Sequence, residues 1–343
     1  MFAFGVAAAM LAMSSSRSIR QYLVSGESHP EQIVVNDNRR AAGSMTGRTV
    51  DIHLEIRRGV WHPTRDDGGG PGVNVNAFAE EGKPLSVPGP LIRVPAGAIV
   101  HASVRNTLFN SVVVYGLSAR GAGTPRAEDT VQIRPGAVQE ISFPAGAPGT
   151  YYYWGKSARD TSSADPLARA PVDAQLGGAL IVDQRDTFGS ERDRAFVFNL
   201  WDPSPQSGAG SAVPDVESVF WFTINGKASP YTERLSFAVG DTVRMRFVNL
   251  TLASHPISLG GVFYSANRGD GMPGDSTVAV WRAIAKNATA LPPDSASPRP
   301  AFQQLENGAT YDFALTPPAP GDFSFVVKSA NGTLLARFPV HVR

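Results

Sequence analysis

Six histidines and the absence of any cysteine set the chemistry open to this 343-residue chain. Without a thiol there is no disulfide, no thiolate nucleophile, no iron–sulfur cluster, no zinc–thiolate site and no copper–thiolate bond. The histidines are His29, His53, His62, His101, His255 and His341, and only His53 and His62 form even a loose pair. His53 and His101 fall on strand patterns and are read as satisfied sandwich histidines, and His255, followed by Pro256, as bonded to a backbone carbonyl. No Gly-x-Ser-x-Gly elbow occurs, so a Ser/His/Asp hydrolase would have to assemble from scattered residues. Gly269 to Gly274 matches the letters GxGxxG, but Pro273 and the lack of a following helical pattern remove the helix N-terminus that cradles phosphate. Asp66 with Asp67, and Asp270 with Asp275, lack the spacing of a calcium loop and read as solvated turns. Lys and Arg number 31 against 30 Asp and Glu, and a net charge of +1 provides no general attraction to nucleic acid.

These side chains must be held by strands. With 34 Gly, 27 Pro and only 18% charged residues, the composition is turn-rich and poor in helix formers, which predicts an all-β protein. The length suits two domains of about 150 residues each. Arg48 to Ile56 alternates apolar and polar residues as a half-buried strand does. Further strands are expected at Val100 to Asn106, Val112 to Leu117, Gln139 to Phe143, Thr150 to Trp154 and Gly177 to Val182. The order then recurs: Val94 to Gly97 followed by Val104 to Asn106 compares with Val239 to Asp241 followed by Phe247 to Asn249, a period near 145 residues. Ala279 to Ala288 is expected to add one short helix. The divisions are 1–16 as an apolar anchor or signal remnant, 17–47 as an extended arm or tether, 48–190 as the first sandwich and 191–343 as the second. In Tyr151 to Trp154, alternation sends Tyr151 and Tyr153 to one face and Tyr152 and Trp154 to the other. One pair is core; the other fills a cleft or meets a partner.

Residues Met1 to Met13 form an uncharged apolar run with no Lys or Arg before it. At about 1.5 Å per residue it reaches only ~20 Å and would not span a bilayer unaided. It reads either as a signal-peptide remnant or as a segment held by lipid or partner helices, with Met1, Phe2, Phe4, Met10, Leu11 and Met13 making the contact.

From about Thr49 to Arg343 the chain resembles the multicopper oxidase family of tandem cupredoxins, which includes laccases and copper nitrite reductases. The resemblance is carried by Pro88 to Val94, Gly149 to Tyr153, Gly177 to Val182, Phe222 to Lys227, Val239 to Arg244, His255 to Gly261, Gly321 to Phe323 and Ala336 to Phe338, in that order. It implies two tandem cupredoxin-like Greek-key β-sandwich domains. In that family four histidine motifs, on adjacent strands of the two domains, aim imidazoles at a shared copper cluster. Here His-Trp-His-Gly is replaced by Val113, Val114, Tyr115 and Gly116, and His-Ser-His by Trp154, Gly155 and Lys156. The motif His-Pro-x-His-Leu-His-Gly-His survives as His255, Pro256, Ile257, Ser258, Leu259, Gly260, Gly261 and Val262. The final His-Cys-His reads Val326, Val327 and Lys328.

A copper–thiolate centre needs a cysteine, and a trinuclear cluster about eight imidazoles. The expectation is therefore a non-catalytic protein with no cofactor. It would be a copper-free structural or docking subunit of a bacterial membrane-associated complex at the periplasmic face of the inner membrane, its partners being protein subunits and transmembrane helices or lipid. A second resemblance, resting on the metal-free tandem and the apolar N-terminus, is to the copper-free cupredoxin-like accessory subunit of a bacterial photosynthetic reaction-centre and light-harvesting complex. The competing expectation is a periplasmic enzyme or small-ligand binder that uses a vacated inter-domain cleft near Tyr115, Lys156, Ser258 and Lys328.

Overall fold

The structure, a computed structural model, describes residues 30–65, 70–125, 129–158, 165, 167–187, 192–202, 220–251, 257–264, 276–292 and 297–343. Its first twelve strands are β1 (Val34–Val35), β2 (Ser44–Thr46), β3 (Thr49–Trp61), β4 (Val73–Glu80), β5 (Ser86–Val87), β6 (Ile92–Pro95), β7 (Ile99–Asn106), β8 (Val112–Tyr115), β9 (Thr130–Ile133), β10 (Val138–Pro144), β11 (Gly149–Ser157) and β12 (Gly177–Asp183). They build sheet I, in the order β1-β5-β4-β3-β7-β10 with β2 beside β3, and sheet II, in the order β6-β12-β11-β8-β9.

Fourteen more strands follow: β13 (Asp193–Trp201), β14 (Trp221–Ile224), β15 (Lys227–Ala228), β16 (Leu235–Phe237), β17 (Val243–Asn249), β18 (Ile257–Tyr264), β19 (Ser276–Val278), β20 (Val280–Lys286), β21 (Thr289–Ala290), β22 (Arg299–Pro300), β23 (Phe302–Leu305), β24 (Thr310–Leu315), β25 (Gly321–Lys328) and β26 (Leu334–Val342). Sheet III runs β15-β14-β13-β17-β24-β20-β21 with β22 beside β20, and sheet IV runs β16-β26-β25-β18-β19 with β23 beside β18. Among the described residues the only helical pieces are two 3-10 turns, Pro171–Asp173 and Arg185–Thr187.

Alternation along the strands creates the two cores. Ile52, Leu54, Ile56, Val100, Ala102 and Val104 of sheet I meet Val112, Val114, Tyr151 and Tyr153 of sheet II. Phe196, Phe198, Met245, Phe247 and Phe313 of sheet III meet Leu259, Phe323, Phe325 and Val327 of sheet IV. Burial of such side chains, at roughly 1.5–3 kcal/mol each, is what holds the sheets face to face.

Two expectations change. Ala279 to Ala288 is not helical: β20 runs through it, because Trp281 stacks on Phe313 of the neighbouring β24 at 4.0 Å and pulls alternate residues into the core. Residues 30–47 are extended but not a loose tether. β1 pairs with β5, β2 pairs with β3, and the buried Asn38 donates through Nδ2 to Asn225 Oδ1 at 3.0 Å in the second sandwich. His53 and His101 lie on strands of the first sandwich, as expected, exposed on the outer face of sheet I, where His53 Nδ1 shares a 2.7 Å hydrogen bond with Ser103 Oγ and His101 stands 3.6 Å from Asp51. The expected anchor Met1 to Met13, His29, His255 and the loops holding Asp66, Asp67, Asp270 and Asp275 lie outside the described residues. Among the described residues no helix is long and apolar enough to cross a membrane.

Candidate functional site

Sheet register brings the expected ligand positions together in two groups. In sheet II, β8 lies antiparallel to β11 with Tyr115 opposite Trp154 and Val113 opposite Lys156. In sheet IV, β18 lies antiparallel to β25 with Ser258 opposite Lys328, Leu259 opposite Val327, Gly260 opposite Val326 and Val262 opposite Ser324. Val327 is wholly buried in the second core beside Leu259, while alternation puts Val326, Lys328, Ser258 and Gly260 on the other face of their sheet.

Aromatic packing fills the first group. Trp154 is fully buried, and the half-buried Tyr115 stacks on it at 4.8 Å with the rings 5° from parallel. Tyr152 lies 5.2 Å from Trp154 on the same face, and its hydroxyl donates to Gly308 O of the second sandwich at 2.8 Å. Around them Leu91, Leu167, Ala179, Ile181, Ala195, Val197, Val248 and Leu250 complete an apolar seam between sheets II and III. The alternation expected for Tyr151 to Trp154 is therefore realised as core on one side and inter-domain seam on the other.

The competing expectation of one cleft near Tyr115, Lys156, Ser258 and Lys328 is not met within a chain. Sheet II packs on one face of sheet III, through β11 with β17 and β24, while sheet IV packs on the opposite face. Sheet III thus stands between the two groups.

The described residues at the expected ligand positions do not suit copper. The described positions offer hydroxyl, ammonium, indole, phenol and alkyl groups where two imidazoles and a thiolate, or a cluster of imidazoles, would be required. Among the described residues no three His, Asp or Glu side chains gather into a possible metal site.

The ion network at the seam was not anticipated from the sequence. Arg246 on β17, 2% exposed, donates Nε to both oxygens of Asp193 at 2.8 Å, and its Nη2 lies 3.0 Å from Asp183 Oδ1 and its Nη1 3.3 Å from Asp312 Oδ2. Arg93 pairs with Asp183 at 2.6 Å and with Asp193 at 3.1 Å, and Arg244 pairs with Asp312 at 2.5 Å. Thr150 Oγ1 bridges the sandwiches, donating to Asp312 Oδ1 at 2.7 Å and accepting from Arg246 Nη1 at 2.9 Å. Three guanidiniums meet three carboxylates, so charge is balanced at the seam. Burial pulls the Arg246 guanidinium down, but Asp312, Asp193 and Asp183 outweigh it and hold it above its ordinary range.

Arg169, also buried, lies on the same seam. Burial lowers it to about 10, so it stays charged at neutral pH; its Nη1 donates to Leu176 O at 3.1 Å and its Nη2 to Leu250 O at 3.1 Å. A hairpin completes the join. Asn225 (φ 47°) and Gly226 (φ 81°) form the tight turn between β14 and β15 that their residue types favour. This turn plugs into the first sandwich, where Trp61 Nε1 donates to Gly226 O at 2.9 Å and Lys227 Nζ donates to His62 O at 2.9 Å. A Cβ on Gly226 would stand 2.4 Å from Val87 O, so glycine is required there twice over.

The signal for the network lay in β17, where Arg244 and Arg246 interrupt an otherwise apolar strand on the face opposite Val243, Met245 and Phe247. Alternation alone marks them as seam residues. Their carboxylate partners are up to 68 residues away and cannot be assigned from spacing.

No family model matches the chain. Over 263 residues it is 25% identical to the multicopper oxidase MmcO of Mycobacterium tuberculosis, an alignment covering 69% of this chain and only half of that protein's length. The fold is similar to that of the blue copper oxidase from Nitrosomonas europaea, with a TM-score of 0.57, 19% identity and 86% of each chain covered. It is also similar to the copper nitrite reductase from Nitrosomonas europaea, with a TM-score of 0.55, 19% identity, and coverage of 86% of this chain and 94% of that one. The chain therefore has the cupredoxin-like fold of multicopper oxidases, built on a sequence with no cysteine.

Proposed function

We propose that this protein is a copper-free, non-catalytic cupredoxin tandem that serves as a structural or docking subunit of a bacterial membrane-associated complex, photosynthetic or otherwise engaged in electron transfer. The observation that carries the reading is the Tyr115–Trp154 stack, which lies at positions that the sequence resemblance assigns to ligands and is continuous with the inter-domain seam. Offset aromatic stacking adds about 0.5–1.5 kcal/mol to area burial, so these residues stabilise the join between the sandwiches where imidazoles would have held metal. The balanced ion network and the docked β14–β15 hairpin support the same reading, since each fixes the two sandwiches in one relative position. A rigid body with its former site closed is suited to presenting surfaces.

Attachment is assigned to the apolar run Met1 to Met13, lying in the membrane interface or between transmembrane helices on the periplasmic side. The test is purification of the tagged full-length chain from native membranes in mild detergent. Co-migration with a defined set of membrane subunits is expected, and a monodisperse free chain would overturn the proposal. Deleting residues 1–16 is expected to release a folded, soluble protein. Retention in the membrane fraction after that deletion would overturn the assignment of the anchor.

A further inference from the structure

The chain holds three Asn-Gly pairs: Asn225 with Gly226, Asn307 with Gly308, and Asn331 with Gly332. In such a pair the glycine nitrogen can attack the asparagine Cγ, because glycine has no Cβ to block the approach and reaches the backbone angles required. The bond from Cγ to Nδ2 breaks, and ammonia leaves with the proton that the glycine nitrogen gives up. Water then opens the five-membered succinimide to aspartate or isoaspartate. The reaction consumes water alone and moves no electrons to or from another reagent.

Two of the pairs are locked. Asn225 is 2% exposed; its Nδ2 donates to Ala195 O at 3.0 Å, and its Oδ1 accepts from Val197 N at 2.8 Å and from Asn38 Nδ2 at 3.0 Å. Its carboxamide can turn toward Gly226 only if those three bonds break together. At Asn307 the nucleophile is held instead. Gly308 N donates to the buried Asn249 O at 2.8 Å, Gly308 O accepts from the Tyr152 hydroxyl at 2.8 Å, and a Cβ on Gly308 would stand 2.7 Å from Leu167. Both pairs can react only when buried structure opens, which is rare in the native state.

Asn331 and Gly332 lie in the exposed turn between β25 and β26, with Gly332 at φ 85° and nothing within 4 Å of where its Cβ would be. Gly332 N donates to Ser329 O at 2.9 Å, a bond inside the solvated turn that opens at little cost. Asn331 Oδ1 accepts from Thr333 N at 3.1 Å and from Ser329 Oγ. Two donors on this oxygen draw electron density from Cγ and stabilise the charge that gathers there as the glycine nitrogen adds. We propose that Asn331 is a self-modification site, to which the fold directs deamidation while withholding it from Asn225 and Asn307, and that Ser329 Oγ is its positioning group. The product places a carboxylate in residues 329–336, which otherwise carry no charge, beside Leu334 at 51% exposure, and takes the formal net charge from +1 to 0. The site does not depend on the reading of the protein as a docking subunit.

The test incubates the purified full-length chain at mildly alkaline pH, with a parallel sample in urea. The three pairs fall in different tryptic peptides, so each is followed separately by mass and by isoaspartate-specific methylation. In the native protein, conversion at position 331 is expected to run at least about tenfold ahead of positions 225 and 307, and in urea the three rates should converge. Ser329→Ala, a change in an exposed turn, should slow conversion at 331 in the native protein and leave its rate in urea unchanged. Native conversion at 331 no faster than at 225 or 307 would overturn the site. The same ranking persisting in urea would also overturn it, since the fold would then not be what selects Asn331. A native rate in Ser329→Ala equal to that of the wild type would overturn the role of the hydroxyl.

Discussion

The Trp154 indole faces Tyr115, Tyr152 and the apolar seam. Trp154→Ala should therefore act as a core truncation. We expect a loss of about 3–5 kcal/mol in urea unfolding with an unchanged m-value, and a clearly smaller loss for Tyr115→Ala, whose ring is half-buried. Equal small losses for both would mean that the stack is peripheral to the seam. Arg246 is the other decisive residue. Arg246→Met leaves Asp183, Asp193 and Asp312 without their shared cation and should cost about 3–5 kcal/mol, measured in the same way. Arg246→Lys should recover only part of this, since a point charge cannot span three carboxylates as the guanidinium fork does.

At the scale of elements, what could be read in the sequence was what depends on alternation and turn chemistry. β3, β7, β8, β10, β11 and β12 lie where the apolar pattern puts them. Of the expected ligand positions, Tyr115 with Trp154 and Val326 with Gly260 are cross-strand neighbours. What could not be read is which sheet lies against which. The cleft expected between the domains assumed that β8 and β25 converge, and that depends on packing between residues some two hundred positions apart. Ala279 to Ala288 misled for another reason: its alanines favour a helix, but Trp281 gains more by stacking on Phe313. The extended segment of residues 30–47 is a further element with a measurable effect. Asn38→Ala removes a buried hydrogen bond to Asn225 and should cost about 1–3 kcal/mol, read from the denaturation midpoint. A neutral result would mean that residues 30–42 only lie on the surface.

The molecule as a whole is two sandwiches joined by an apolar seam, a balanced ion network and a plugged hairpin. Such a join should make unfolding cooperative across both sandwiches. Calorimetry is expected to give one transition, whose midpoint does not move when chelator is added; two separated transitions would show that the seam does not couple them. The proposal that this cupredoxin tandem works without copper is tested most directly by metal content and visible absorption of the full-length protein after loading with excess copper and desalting. Substoichiometric copper and no charge-transfer band are expected. Stoichiometric copper with an intense visible band or oxidase turnover would contradict it.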